Sequence, residues 1–259
     1  MLTADGRAGA VGELMQSGAE AWGGGEQHGG LVDTAYTNLE LKPHTDCTYY
    51  RDPPALQFFN CVGAAATGGA TWLVDGFAVG AHLQTAAPAT FRFFSATQLP
   101  FHCLEAGTHV QAHAPVFGVF PAWDGARRTR SVRLNQFRFN NDDRAPFHAA
   151  DFSPPPIESV WELEEAGDAP RLLQSEEVLE RFYAEYLPTL LATKEDPAFA
   201  FEVRLGQGDM ICVNNHRVMH GRRAFEGKGR NMMGAYVGLD EFQSVCRLRG
   251  LPHDMSIAL

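Results

Sequence analysis

Cysteine is scarce and poorly arranged for cross-linking. The five residues, Cys47, Cys61, Cys103, Cys212 and Cys246, are odd in number, widely spaced and contain no Cys-x-x-Cys pair. That excludes a disulfide framework and a zinc ribbon and predicts a reducing compartment. Positive charge is also in deficit: 21 Lys and Arg against 31 Asp and Glu leave a formal net charge of -10, which on average repels nucleic acid and anionic membranes. No apolar run is long enough to span a bilayer, and none follows a basic start at the N-terminus. There is no internal repeat. These absences predict a soluble intracellular protein, cytoplasmic or mitochondrial, whose partner is a small molecule rather than nucleic acid or membrane.

Core-forming residues, by contrast, are plentiful. At 45% hydrophobic and 11% aromatic the chain can bury a large core, and 259 residues is an ordinary length for one β-rich domain. Residues 1–30 are rich in Gly, Ala and Glu and lack a period, so they predict no regular element. Leu56–Val62 and Thr71–Val74 read as strands joined as a hairpin through Thr67-Gly68-Gly69. Two short helices separated at Pro88 follow, the second with Phe91 and Phe94 on one face, and Arg133–Phe139 reads as a strand. Ser175 with Glu176 and Glu177 is an N-cap with acids in the first turn, and Val178, Phe182, Tyr186 and Leu190 recur every four residues, a helix interrupted near Pro188. Phe199, Phe201, Val203 and Leu205 alternate as a half-buried strand, Gly206–Asp209 turns it back into Met210–Val213, and Met232–Leu239 supplies a last strand. The pattern predicts a mainly β jelly roll, a double-stranded β-helix with helical decoration, over residues 31–259.

The chemistry-bearing pattern is His44-Thr45-Asp46, together with Asn215-His216-Arg217-Val218-Met219-His220-Gly221 far downstream. Residues two apart on a strand point to one face, so an imidazole and a carboxylate can meet one ion. Two histidines and a carboxylate on one side of a metal leave positions open opposite, the arrangement of iron(II) oxygenases. His-x-Asp alone is a short pattern that a polar surface pair or a buried histidine also satisfies. A basic run, Arg222, Arg223, Lys228 and Arg230, adjoins the downstream histidine and offers a small anion an arginine.

Context sharpens this. Asp33-Thr34-Ala35-Tyr36-Thr37, Pro43–Tyr50, Thr67-Gly68-Gly69, Val74–Phe77, Arg138-Phe139-Asn140-Asn141-Asp142-Asp143-Arg144 and His220-Gly221-Arg222-Arg223 occur in this order across most of the chain. The set resembles the trimethyllysine dioxygenase and γ-butyrobetaine hydroxylase family, within the taurine dioxygenase-like iron(II)/2-oxoglutarate oxygenases, and is more similar to the trimethyllysine branch of carnitine biosynthesis. The resemblance implies Fe(2+), 2-oxoglutarate and O2, and admits ascorbate as reductant and a homodimer as the assembly. Family members carry a further N-terminal domain, of which residues 1–30 would be a remnant.

Residue by residue, the resemblance implies His44, Asp46 and His220 as iron ligands, with His216 competing for the third place and placed by preference in packing. It implies Arg230, Thr71 and Arg222 around the 2-oxoglutarate carboxylate. A trimethylammonium group donates no hydrogen bond and is held over aromatic faces; Tyr36, Tyr236 and Trp22 match such a cage. Asp33 would pair with the α-ammonium of trimethyllysine, and Asn140 or Asn141 with its carboxylate. γ-Butyrobetaine lacks that ammonium, so Asp33 favours trimethyllysine. The alternatives are a γ-butyrobetaine or other betaine hydroxylase, and a truncated, inactive isoform that only binds ligands.

Overall fold

A computed structural model of the chain describes residues 14–17, 37–105, 108–124, 129–147, 175–227 and 229–258. In chain order the strands are β1 (Leu14–Ser17), β2 (Leu41–His44), β3 (Leu56–Gly63), β4 (Thr67–Gly68), β5 (Thr71–Asp75), β6 (Leu99–Glu105), β7 (Thr108–Ala114), β8 (Phe117–Asp124), β9 (Thr129–Phe137), β10 (Ala200–Val203), β11 (Met210–Asn214), β12 (Val218–Arg222), β13 (Phe225–Glu226), β14 (Asn231–Val237) and β15 (Ile257–Ala258). The helices are α1 (Gly76–Ala86), α2 (Pro88–Ala96), α3 (Ser175–Arg181), α4 (Leu187–Lys194) and α5 (Leu239–Arg249).

Two antiparallel four-stranded sheets form the frame, in the orders β1-β14-β3-β11 and β10-β5-β12-β2. Taken in chain order, the strands of this frame alternate between the sheets except for β5 and β10, which follow one another and pair within the second, and this is the double-stranded β-helix expected of the pattern. The hairpin read between Leu56 and Val74 is therefore not one. β3 pairs with β14 and β11, whereas β5 pairs with β10 and β12. Thr67-Gly68 does not close a turn between them; it is a short strand against β13, and Gly68 and Gly69 take φ of 71° and 70° to let the chain change sheets. Likewise Gly206–Asp209 carries the chain from β10 in one sheet to β11 in the other. β14 is not the last strand either: α5 follows, with Asp240 and Glu241 in its first turn, Arg247 and Arg249 in its last, and Gly250 in a left-handed C-cap at φ 64°, and then the short β15 pairs with β9.

The main core lies on the outer face of the second sheet. Trp72 and Val74 of β5 and Met219 of β12 pack against Phe77 of α1, Phe91 and Phe94 of α2, Phe117 of β8 and Phe137 of β9, all buried. Each such aromatic contributes about 1.5–3 kcal/mol by leaving water. Asp75 fixes the junction: its Oδ1 caps α1 by accepting from Phe77 N and Ala78 N at 3.0 and 3.3 Å, while the same carboxylate receives Arg217 from the turn before β12.

The helix predicted after Ser175 runs from 175 to 194, with a wide turn over Phe182–Tyr186 in which Leu187 N donates to Phe182 O, one residue beyond the α spacing. Pro188 supplies the reason: it has no N–H and its ring would press on the carbonyl four residues back, so the backbone widens just before it. Phe182, Tyr186 and Leu190 are buried as their spacing predicts. β10 departs from its alternation, since it is an edge strand and Phe201 stays 65% exposed.

Candidate metal centre

The inner face of the second sheet is set by the same alternation that sends Met219 outward. His220 therefore points in, and its partner across the β12–β2 ladder is His44. The two ring centroids stand 4.6 Å apart, and both residues are buried. Asp46 completes the group. Its Oδ1 lies 3.2 Å from His44 Nε2 and 3.6 Å from His220 Nε2, and the three donor atoms fall within 4.8 Å of one another. No other His, Cys, Asp or Glu cluster among the described residues has this compactness.

Asp46 arrives differently from the strand argument, because β2 ends at His44 and Asp46 sits in the bend beyond it. Cys47 takes φ 57°, a left-handed conformation uncommon outside glycine, and the Asn215 side chain grips the Asp46 backbone. Asp46 N donates to Asn215 Oδ1 at 2.9 Å, and Asn215 Nδ2 donates to the carbonyls of Asp46 at 3.1 Å and Pro54 at 2.9 Å. From the opposite sheet, the cross-strand pair Gln57 and Tyr236 reaches the carboxylate. Tyr236 Oη donates to Asp46 Oδ2 at 2.6 Å and Gln57 Nε2 donates to the same oxygen. Oδ2 is thus engaged and Oδ1 faces the imidazoles.

Protonation follows from these contacts. His44 Nδ1 lies 2.7 Å from the carbonyl of Lys42, which can only accept, so Nδ1 carries a proton, and Nε2 either offers its lone pair to a metal or, when the ring is protonated, donates to Asp46 Oδ1. Burial pushes the His44 pKa down, but the hydrogen bond and charge of Asp46 outweigh it and the net direction is up. His220 has no such support: burial takes its pKa down to about 4 and its Nδ1 finds no hydrogen-bond partner among the described residues, the ring being held by packing, with Phe59 4.9 Å away. Burial raises Asp46, yet the charge of His220 and the hydrogen bonds from His44 and Tyr236 hold it well below the carboxylate range. Two imidazole nitrogens and one carboxylate oxygen converging from one side fit a borderline divalent transition metal with positions left for other ligands. His44, Asp46 and His220 would be the residues to hold it.

The family model described as taurine catabolism dioxygenase TauD, TfdA family matches residues 11–236. The chain belongs to this family. It is 31% identical over 223 residues to the mitochondrial trimethyllysine dioxygenase of Bos taurus, covering 85% of this chain and 45% of that one. It is 32% identical over 212 residues to the γ-butyrobetaine dioxygenase of Pseudomonas sp. (strain AK-1), covering 81% and 46%. The chain thus spans about half the length of the curated relatives it matches. An asparagine oxygenase solved with Fe(II), 3-hydroxyasparagine and succinate shares the fold, at TM-score 0.50 and 17% identity over 81% of this chain and 54% of that one.

The other sequence-predicted residues of this TauD-family chain are spread over several places. Thr71 and Arg230 line one narrow cleft together with Cys61, Gly69 and Met232. Thr71 is the partner of Arg222 across β5–β12, two residues and so about 7 Å along the strand from His220. The Arg230 guanidinium stacks over Phe225 at 5.3 Å, burial lowers its pKa, and no carboxylate among the described residues pairs with it. Arg222 is placed otherwise: it does not line this cleft, and its Nη2 donates to the carbonyls of Thr37 and Leu39 at 2.8 and 2.7 Å, anchoring the segment before β2. Tyr236 is beside the metal group through its hydroxyl. His216 is buried apart from it, with Nε2 2.9 Å from the carbonyl of Pro53.

Asn140 and Asn141 lie in the turn after Phe139, where their Oδ1 atoms accept from Asp142 N and Arg144 Nε. Asp33, Tyr36 and Trp22 lie outside the described residues. Asp143 was not anticipated. Thr48 Oγ1 donates to its Oδ2 at 2.6 Å, and burial beside the Asp46 charge lifts its pKa to about 6 despite that hydrogen bond and the charge of His44. Gln57 and Asn215 also escaped the sequence reading. A glutamine in a mostly apolar strand and an asparagine opening the downstream histidine motif are the signals.

Proposed function

We propose that the chain is an Fe(II)- and 2-oxoglutarate-dependent hydroxylase of a quaternary-ammonium substrate, with N6-trimethyllysine the substrate and 3-hydroxytrimethyllysine, succinate and CO2 the products. The observation that carries this is the convergence of His44 Nε2, His220 Nε2 and Asp46 Oδ1 on one point. A ferrous ion held there would supply O2 activation coupled to decarboxylation of the 2-oxo acid. The chain's own residues do the rest. Tyr236 and Gln57 keep Asp46 Oδ2 occupied so that Oδ1 faces the metal position. Thr71 and Arg230 offer a hydroxyl and a guanidinium to the distal carboxylate of 2-oxoglutarate, where a cation without a carboxylate partner gains a charge-assisted bond. Asp33 sets the substrate, since an α-ammonium pairs with it and a betaine lacking that group leaves the carboxylate unmatched.

Succinate formation tests the reading. Iron-dependent release stimulated by trimethyllysine, abolished by Asp46→Ala and weakened selectively by Asp33→Asn, is the expected result. The specific competitor is γ-butyrobetaine, favoured by the likeness to the Pseudomonas γ-butyrobetaine dioxygenase; preferential turnover of that compound would replace trimethyllysine. Iron and 2-oxoglutarate binding without turnover of any betaine would leave a ligand-binding protein instead.

A further inference from the structure

The loop that follows Asp46 is fastened from behind by Arg138. The residue is 5% exposed, and its guanidinium donates through Nη1 to the carbonyl of Tyr50 and through Nη2 to that of Arg51, both at 3.0 Å, with longer contacts of 3.5 Å to the carbonyl of Thr48 and to Gln136 Oε1. Every one of these acceptors is neutral. Its Nε is buried and has no acceptor among the described residues, and no carboxylate among them lies within ion-pair distance. A buried cation whose hydrogen bonds all go to neutral oxygens, with only the more distant charge of Asp52 acting on it, is costly, and an anion brought to it is favoured.

The surroundings supply room and further donors. Arg138 lines an open cleft of about 480 Å3 with Arg51, His113, Gln98, Gln111 and Gln136, and no acidic residue lines it. That volume suits a small ligand. The local balance is opposite to the chain's net charge of -10. Burial, partly offset by the charge of Asp52, lowers the Arg138 pKa to about 10, which still leaves the group charged at neutral pH. The cleft is distinct from that of Thr71 and Arg230, which shares none of its lining residues.

We infer that this cleft is a binding site for a small oxyanion, a phosphate or a carboxylate, with Arg138 as the buried anchor, Arg51 at the rim and the glutamine amides as neutral donors. An anion seated there lies against the back of the loop that carries Asp46, because the same guanidinium holds the carbonyls of Tyr50 and Arg51.

Calorimetric titration of the metal-free full chain with inorganic phosphate, and separately with acetate, tests this and separates the two oxyanion classes. Saturable one-site binding of at least one of them is expected. It should weaken about tenfold in Arg51→Gln, the loss of one charge-assisted hydrogen bond, and persist in Arg230→Gln. Arg138→Gln should abolish it, but that change also frees the loop; Arg51 is exposed and its side chain fastens no described segment, so its variant reads the site without that complication. Absence of saturable binding by either anion overturns the inference, as does binding that Arg51→Gln leaves intact or that Arg230→Gln removes.

Discussion

At the scale of single residues, the metal group owes its shape to polar side chains that never face the metal position. Asn215 satisfies three backbone groups around Asp46 and Pro54 while 1% exposed. Removing such a partner leaves buried groups unsatisfied at about 1–3 kcal/mol each, and supporting residues of this kind cost about 10- to 100-fold in metal affinity when lost. Asn215→Ala should therefore weaken Mn(II) binding within that range while Asn215→Asp, which keeps the acceptor for Asp46 N, retains more of it; titration followed by electron paramagnetic resonance distinguishes them. The imidazoles predict a pH dependence with a definite sign. Coordination needs neutral nitrogens, and His44 is the one whose pKa is raised, so metal competes with a proton there. Affinity should fall about tenfold per pH unit below the His44 pKa, and more steeply below about 4, where His220 also takes up a proton. A flat affinity between neutral pH and pH 4 would contradict the ion pair between His44 and Asp46.

At the scale of elements, close approach of β2 to β12 is what brings the histidines opposite each other, and Gly221 permits it. A Cβ at that position would stand 2.6 Å from Leu41 O and 2.9 Å from Pro43 N. Gly221→Ala must push β2 away, at about 1–3 kcal/mol for overpacking. Thermal denaturation should register that loss, and metal affinity should fall with it, whereas Gly208→Ala should lose stability through its positive φ alone and keep the metal. Local patterns made several elements legible. Phe91 and Phe94, Phe182 with Tyr186 and Leu190, and the break at Pro188 are all properties of adjacent turns, and they stand where the sequence placed them. Strand pairing was not legible, because Gln57 opposite Tyr236 and His44 opposite His220 are long-range facts. β9 is legible in part as the strand Arg133–Phe139, but its partner β8 and the pair β6 with β7 are not, and β1, four residues within the unpatterned first thirty, is too short for a period. α5 was missed although its charges and Gly250 follow the helix rules, since its apolar face buries only Cys246 fully.

At the scale of the molecule, one ion would join the two sheets, because His44 and His220 belong to one and the supports of Asp46 to the other. A ligand that binds only the folded state at one hundred times its dissociation constant stabilises by about 2.7 kcal/mol, and for a chain of this size each kcal/mol moves the melting temperature about 2–4 °C. Mn(II) should raise the transition by about 5–10 °C on that arithmetic. Asp46→Ala, whatever stability it loses by stranding Tyr236 and Gln57, should show no rise with the metal relative to its own metal-free transition; a full rise in that variant would place the ion elsewhere. Among the described residues no helix is long and apolar enough to cross a membrane.

The pairing of His44 with His220 has a consequence for biosynthesis of the fold. Side chains along a strand alternate between faces, so a one-residue slip of β2 against β12 would turn the upstream imidazole toward the aromatic core and bring the adjacent Pro43 inward in its place. Mispaired chains would then be blind to ferrous ion, and iron present during refolding would draw the population toward the correctly threaded form by mass action.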